Sequence, residues 1–223
     1  MTGDRAGLKR LGVDPGSKAG IFSMQCGLEP VERDDGLWPD QIASPNLAYN
    51  RYLRAQGYDG DNPWQDWANS AEGSDGEVLS GWFLGNDHLP SRVKAEHSET
   101  PYMTGRAIDF MREQGDNPFL LHLSYIKPHW PYIAPAPYHA LYGANEFLPP
   151  VRSEAERTDG NPVIRAHMQT PEGPNFSNDA VRSNVLPAYM GLIKQIDDEL
   201  GRLFKWMKSS GRWDDTLIVF TSD

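Results

Sequence analysis

The stretch NPFLLHLSYIKPHWPY, residues 117–132, is an apolar run that ends abruptly in a lysine, a histidine and two prolines. Phe119 to Ile126 is nearly continuously apolar, which is typical of a sheet strand covered on both faces. His122 and Ser124 are its polar side chains, and His122 is expected to be a hydrogen-bonded core histidine. The sequence therefore predicts a central strand that runs out at the rim of an active site.

Two helix-to-strand units can be recognised in the chain. Before the first strand, Thr100 can cap a helix that Gly115 ends. Near the end of the chain, apolar residues at spacings of three and four predict a helix from about Pro187 to Ser209, with Gly211 as its stop. The apolar stretch Thr216–Ser222 follows as a second strand. Two such units predict an α/β fold with a mainly parallel central sheet.

The other segments lack the sustained hydrophobic periodicity of a helix or a strand. Residues 1–97 are rich in Gly, Asp, Trp and Asn, and they predict loops with one short helix near Asn46 to Gln56 that Gly57 could end. About Lys127 to Leu186 is a long irregular segment with nine of the eighteen prolines. Its aromatic residues argue against disorder, so we expect it to form a rim over the sheet.

Composition limits the classes of function. The 223 residues carry a formal charge of −10, which repels nucleic acid and anionic lipid surfaces. The single cysteine, Cys26, permits no internal disulfide framework, and no apolar stretch is long enough to span a bilayer. Without a signal-peptide pattern, a cytoplasmic location is favoured, and a periplasmic one applies if a leader precedes Met1.

Two polar residues stand just beyond the two predicted strands. His129 follows the first strand by three residues, and Asp223 comes directly after the second. Because ligand sites lie beyond the carboxyl ends of parallel strands, neighbouring strands would bring both side chains into one crevice. An imidazole can bind an oxyanion or pass a proton, and a carboxylate can hold a divalent cation. The spacing alone is also compatible with a capping histidine and a turn aspartate.

Two blocks of the sequence together resemble a known enzyme family. PFLLHLSYIKPHWPYIAPAPYHALY and YMGLIKQIDDELGRLFKWMKSSGRWDDTLIVFTSD, with TGDRAGLKRLG near the start, are similar to type I sulfatases of the alkaline phosphatase superfamily. The phosphonate monoester hydrolases and their sulfatase relatives are the most similar subgroup. The likeness covers about residues 100–142 and 187–223, and it implies an alkaline-phosphatase-like domain with a mainly parallel sheet.

The resemblance also implies roles for individual residues. Asp223 matches the aspartate of a Thr-Ser-Asp-His-Gly motif that binds a divalent metal, calcium or manganese. His129 matches a histidine that contacts the transferred group or its leaving oxygen. Lys127 matches a basic position and is a candidate substrate contact, although a surface salt bridge is an equal alternative. The family's nucleophile is a formylglycine made from the Cys or Ser of a Cys-x-Pro-Ser-Arg motif.

That nucleophile motif is not found in the 223 residues. Cys26 lies in CGLEP, without the proline or the Ser-Arg pair in register, and it is expected to be an ordinary small apolar residue. HLPSR, residues 88–92, has His88 where the cysteine should stand. Because a histidine cannot become formylglycine, we interpret this segment as a chance likeness to the motif. The family's early pair of metal-binding aspartates has no counterpart either, because Asp4 is not preceded by a strand.

Residues 1–223 are therefore expected to be a partial hydrolase domain that lacks both ends of the catalytic domain. Residues 1–97 would be its loop-rich part and residues 98–223 the helix-strand units of its core. The full-length parent would hydrolyse small anionic sulfate, phosphonate or phosphate esters, with homo-oligomerisation left open, while this chain alone would be inactive. The alternatives are a non-catalytic remnant that binds anions or carbohydrate through Trp130 and Tyr132, or a truncated fragment without activity.

Overall fold

A computed structural model describes residues 10–13, 19, 28–32, 47–170 and 173–222. The chain divides into two compact units, residues 1–35 and 36–223. The helices, the sheet and the candidate site discussed below all lie in the second unit.

This unit contains six α-helices within the described residues. They are α1 (Ala48–Ala55), α2 (Glu99–Glu113), α3 (Ala155–Asp159), α4 (Pro162–His167), α5 (Gly173–Ser177) and α6 (Asp179–Ser209). None of the helices in the described part of the chain combines the length and the apolar character needed to cross a bilayer.

The predicted helix ends are confirmed, whereas two predicted starts are wrong. Gly57, Gly115 and Gly211 follow α1, α2 and α6 with φ of 89°, 57° and 75°, a conformation that glycine adopts at low cost. Ser98, not Thr100, is the N-cap residue of α2, which begins at Glu99. The other wrong start is that of α6. α6 begins well before Pro187, because the side chain of Asn178 accepts a hydrogen bond from the Ala180 amide and caps the helix there. Pro187 is accommodated inside the helix.

A mainly parallel central sheet is not present in the described residues. The strands there are β1 (Ser70–Glu72) and β2 (Val78–Ser80), which form an antiparallel hairpin with Ser70 opposite Ser80. Ser91 adds isolated bridges to Ala71 and Pro135. The structure is thus mixed α/β with a small two-stranded sheet.

The two predicted strands are extended segments without a ladder partner among the described residues. In the first, Phe119, Leu121 and Leu123 pack against helices α2 and α6, while Leu120 on the other face is 80% exposed. The prediction of a strand covered on both faces is therefore wrong for this structure. Its side chains alternate between covered and exposed positions as in a strand, but pairing needs a neighbouring strand, which local sequence does not supply.

Two apolar clusters hold the helices together. The first surrounds α1 and includes Tyr49, Leu53, Trp64 and Tyr102. It shows that part of the segment predicted as loops, residues 47–97, contributes a well-packed core. The second joins α2 to α6 through apolar side chains, namely Ile108, Met111, Leu203 and Met207.

Candidate functional site

His129 lies in a turn directly after the first extended segment. Its amide donates to the Ile126 carbonyl at 2.9 Å, and its ring Nδ1 lies 2.8 Å from the Trp130 carbonyl oxygen. Because a carbonyl oxygen can only accept, Nδ1 must carry the proton of this hydrogen bond. The opposite nitrogen, Nε2, belongs to an exposed side chain and is available to bind an oxyanion or exchange a proton.

The segment that leads to His129 is anchored on α2. The Thr104 hydroxyl donates to the Thr100 carbonyl at 2.9 Å, so it accepts from the Tyr125 hydroxyl, which lies 2.7 Å away. Ile126 packs against the cluster around α1. These contacts fix the backbone immediately before the turn.

Lys127 points inward and forms no surface salt bridge with any residue that the structure describes, unlike the alternative considered from the sequence. Its Nζ donates to the Pro131 carbonyl at 2.6 Å, which closes the turn that contains His129. Burial lowers the pKa of Lys127 to about 8, opposed by the nearby carboxylates of Glu99 and Asp87. Whether the ammonium also contacts substrate stays a prediction.

Asp87 is a site residue that the sequence did not reveal. It is 0% exposed, and neither carboxylate oxygen has a hydrogen-bond partner among the described residues. Burial raises its pKa to about 7, while Lys127 acts in the opposite direction. Its position is fixed by α6, because Asn184 Nδ2 donates to the Leu84 carbonyl at 2.8 Å in the turn just before it. Aspartate is usually exposed, and no motif marks this one.

A small cavity adjoins Lys127. Its volume of about 10 Å³ leaves room for about one water molecule. Ser91, Glu99 and Gln195 are among its lining residues, and Gln195 Nε2 donates to Ser98 Oγ at 2.7 Å. The cavity is too small for a tetrahedral ester.

The HLPSR segment makes structural contacts. Ser91 is buried, with its amide bonded to the Ala134 carbonyl and its hydroxyl to the Val93 carbonyl. The Arg92 guanidinium stacks over the Trp67 ring at 4.2 Å and donates to the Asp66 carbonyl. These two side chains are therefore engaged in packing the hairpin region.

The aromatic residues beside His129 are packed against other rings. Trp130 meets Trp82 edge to face at 4.6 Å between ring centroids, and Tyr132 makes similar contacts with Phe176 and Tyr189. The proposed carbohydrate groove would need open ring faces, whereas Trp130 and Tyr132 are only partly exposed here. The rim is thus a packed layer that joins the irregular segment to α6.

Of the two other histidines in this region, one does not have the environment predicted from the sequence. His122 is exposed, so its prediction as a core histidine is wrong, because its side chain lies on the uncovered face of the extended segment. His139 is partly buried in the rim, and burial lowers the pKa of its imidazole.

The predicted metal ligand cannot be placed. Asp223, like Cys26 and Asp4, lies outside the described residues. Within the described ranges, no group of three or more His, Cys, Asp or Glu side chains could hold a metal ion. These residues alone therefore do not build a metal centre, and the proximity of His129 and Asp223 stays a prediction.

The chain is similar to known proteins in both sequence and fold. The chain is 37% identical over 146 residues to the multifunctional alkaline phosphatase superfamily protein PehA of Trinickia caryophylli, a match that covers 60% of the chain and 28% of PehA. Its fold matches the phosphonate monoester hydrolase of Agrobacterium radiobacter, with a TM-score of 0.64, 19% identity, and coverage of 96% of the chain and 41% of that protein.

A second solved structure has a similar fold. The phosphonate monoester hydrolase SpPMH from Silicibacter pomeroyi matches with a TM-score of 0.62 and 24% identity, covering 78% of the chain and 34% of SpPMH. The chain thus spans less than half the length of each of these relatives. The family model described as Sulfatase matches residues 14–223, which is nearly the whole chain. The chain therefore belongs to the Sulfatase family.

Proposed function

We propose that this chain is part of a hydrolase of small anionic sulfate, phosphonate or phosphate esters, in which His129 assists the leaving oxygen or binds the transferred anion. The observation that supports this role is the hydrogen bond from Nδ1 to the Trp130 carbonyl. It leaves Nε2 as the nitrogen that can meet an ester on the exposed side of the turn.

The other catalytic groups would come from sequence beyond these 223 residues. The chain has no Cys-x-Pro-Ser-Arg motif and matches less than half the length of its relatives. The complete protein would supply the formylglycine nucleophile, and Asp223 would be one of several ligands to calcium or manganese. A cytoplasmic location and homo-oligomerisation stay predictions.

The net negative charge of the chain does not oppose an anionic substrate. The field within a pocket depends on nearby groups, and a bound cation would be the largest local charge there. Sulfate and phosphonate monoesters present similar tetrahedral oxyanions, so both belong in the assay.

The test is a His129→Ala substitution in a polypeptide that contains the complete sulfatase domain. Hydrolysis of 4-nitrophenyl sulfate and of a 4-nitrophenyl phosphonate ester should fall by about 10²- to 10⁴-fold in kcat, as expected for loss of a positioned acid or anion contact. His122→Ala is the matched control, because it removes an exposed imidazole from the same segment. Unchanged kinetics in His129→Ala would remove this residue from the site. A complete domain that hydrolyses neither ester would favour a non-catalytic binding module.

A further inference from the structure

The turn that carries His129 is closed by a side chain. Lys127 Nζ binds the Pro131 carbonyl, four residues along the chain, and the His129 imidazole binds the Trp130 carbonyl inside the same turn. The orientation of the Trp130 carbonyl determines which ring nitrogen holds the proton. Movement of the turn would therefore change the tautomer of the His129 imidazole.

The ammonium that closes the turn has acidic neighbours. Asp87 and Glu99 both favour its charged form, and both are buried. Asp87 has no hydrogen-bond partner within the described residues, so its main electrostatic partner on the inner side of the turn is Lys127. A buried carboxylate is costly unless an opposite charge is close.

We propose that Lys127 is a positioning residue for His129 and acts through the Pro131 carbonyl. Asp87 and Glu99 supply the opposite charge that retains the ammonium in this place. The effect on the imidazole is a defined tautomer, with the proton on Nδ1 and Nε2 directed to solvent. Its consequence for catalysis rests on the function proposed above, whereas the positioning itself does not.

The tautomer can be measured on the 223-residue chain by NMR of ¹⁵N-labelled histidine rings at a pH of about 7.5, where an ordinary imidazole is neutral. A His129→Gln variant identifies the signals of His129 among the six histidines. The unmodified chain should show Nδ1 protonated. Lys127→Met should give a mixture with the Nε2–H form, which predominates in free histidine. Lys94→Met, at an exposed lysine, should leave the tautomer unchanged.

Two results would overturn the proposal. One is a tautomer mixture in the unmodified chain, and the other is an intact Nδ1–H form in Lys127→Met. A double variant, Asp87→Asn with Lys127→Met, separates positioning from stability, since loss of one member of a buried charge pair leaves the other uncompensated. The double variant should regain melting temperature relative to Lys127→Met but keep the mixed tautomer. Recovery of Nδ1–H together with the melting temperature would show that Lys127 acts only through fold stability.

Activity measurements distinguish this proposal from the proposed function. In the complete domain, Lys127→Met should lower kcat with little change in KM, because the imidazole is misaligned while the substrate contacts remain. An altered tautomer in Lys127→Met, together with full activity in His129→Ala, would retain the positioning role and reject the catalytic role of His129.

Discussion

The carbonyl oxygen of Tyr138 packs so closely on Gly191 of α6 that a Cβ added at position 191 would overlap it. A second contact holds the same short helical turn, Tyr138–Ala140. In it, the Tyr138 hydroxyl donates to Asp198 Oδ2 at 3.0 Å. Two contacts about two turns apart on one helix thus fix the rim segment that follows the His129 turn.

A Gly191→Ala substitution should therefore destabilise the protein, although alanine is the better helix former. Steric overlap with a backbone atom cannot be relieved by rotating a side chain, and overpacking of this kind costs about 1–3 kcal/mol. Gly201→Ala is the matched control in the same helix, since open space surrounds that position, and it should stabilise by up to about 1 kcal/mol. Urea unfolding measures both effects. Equal shifts in the two variants would contradict the close contact.

Asp87 should make the free energy of unfolding depend on pH. Its pKa rises from 3.8 in the unfolded chain to about 7 in the folded protein, so the folded state binds more protons between these values. Its contribution to stability is therefore fully present below pH 3.8 and is lost as the pH rises towards 7, by a few kcal/mol at about 1.4 kcal/mol per pKa unit.

The comparison of the unmodified chain with Asp87→Asn isolates this effect, because asparagine does not titrate. Across this pH range, the stability of the unmodified chain should fall relative to that of the variant in urea unfolding. Asp75→Asn, at an exposed carboxylate, should give a profile parallel to that of the unmodified chain. Parallel profiles for Asp87→Asn would show that the Asp87 carboxyl is not perturbed by burial.

Helices α1, α2 and α6 could largely be predicted from the sequence, because their signals are local. The short helices α3, α4 and α5 were not predicted, since they lie in the segment that was expected to be irregular. Glycines that adopt positive φ mark the ends of α1, α2 and α6, and the apolar spacing of α6 identifies its packed face. The predicted start of α6 is too late because its apolar spacing begins near Tyr189, whereas the capping side chain of Asn178 lies earlier.

The sheet and the inner half of the site could not be predicted in the same way. Phe119–Ile126 has the composition of a strand, but its pairing depends on residues distant in sequence. His129 was found through a motif, and its hydrogen bond to the next residue is local. The burial of Asp87 results from the packing of α6 over a turn a hundred residues away, which no local pattern encodes.

The two extended segments have no ladder partner among the described residues, and we expect them to make the 223-residue chain associate with itself. Leu217 and Phe220 are 89% and 80% exposed, and Leu120 is similarly uncovered. Unpaired backbone next to exposed apolar side chains is a template for further strand pairing.

A Leu120→Ser/Phe220→Ser double variant should therefore reduce self-association in sedimentation velocity at equal concentration. Val151→Ser is the control, because Val151 is equally uncovered but lies in the irregular segment. A similar decrease in the control would indicate a general effect of hydrophobicity. No decrease in the double variant would exclude these segments as the associating surface.

Metal binding is the test of the role proposed for Asp223. In a complete sulfatase domain, Asp223→Asn should lower the calcium or manganese content measured by elemental analysis, because a neutral amide replaces a hard anionic oxygen ligand. Asp215→Asn is a suitable control, since Asp215 is an exposed residue of the turn after α6. Its metal content should equal that of the unmodified domain. Full occupancy in Asp223→Asn would rule out the ligand role, and an equal loss in both variants would trace the effect to the segment after α6 and not to one carboxylate.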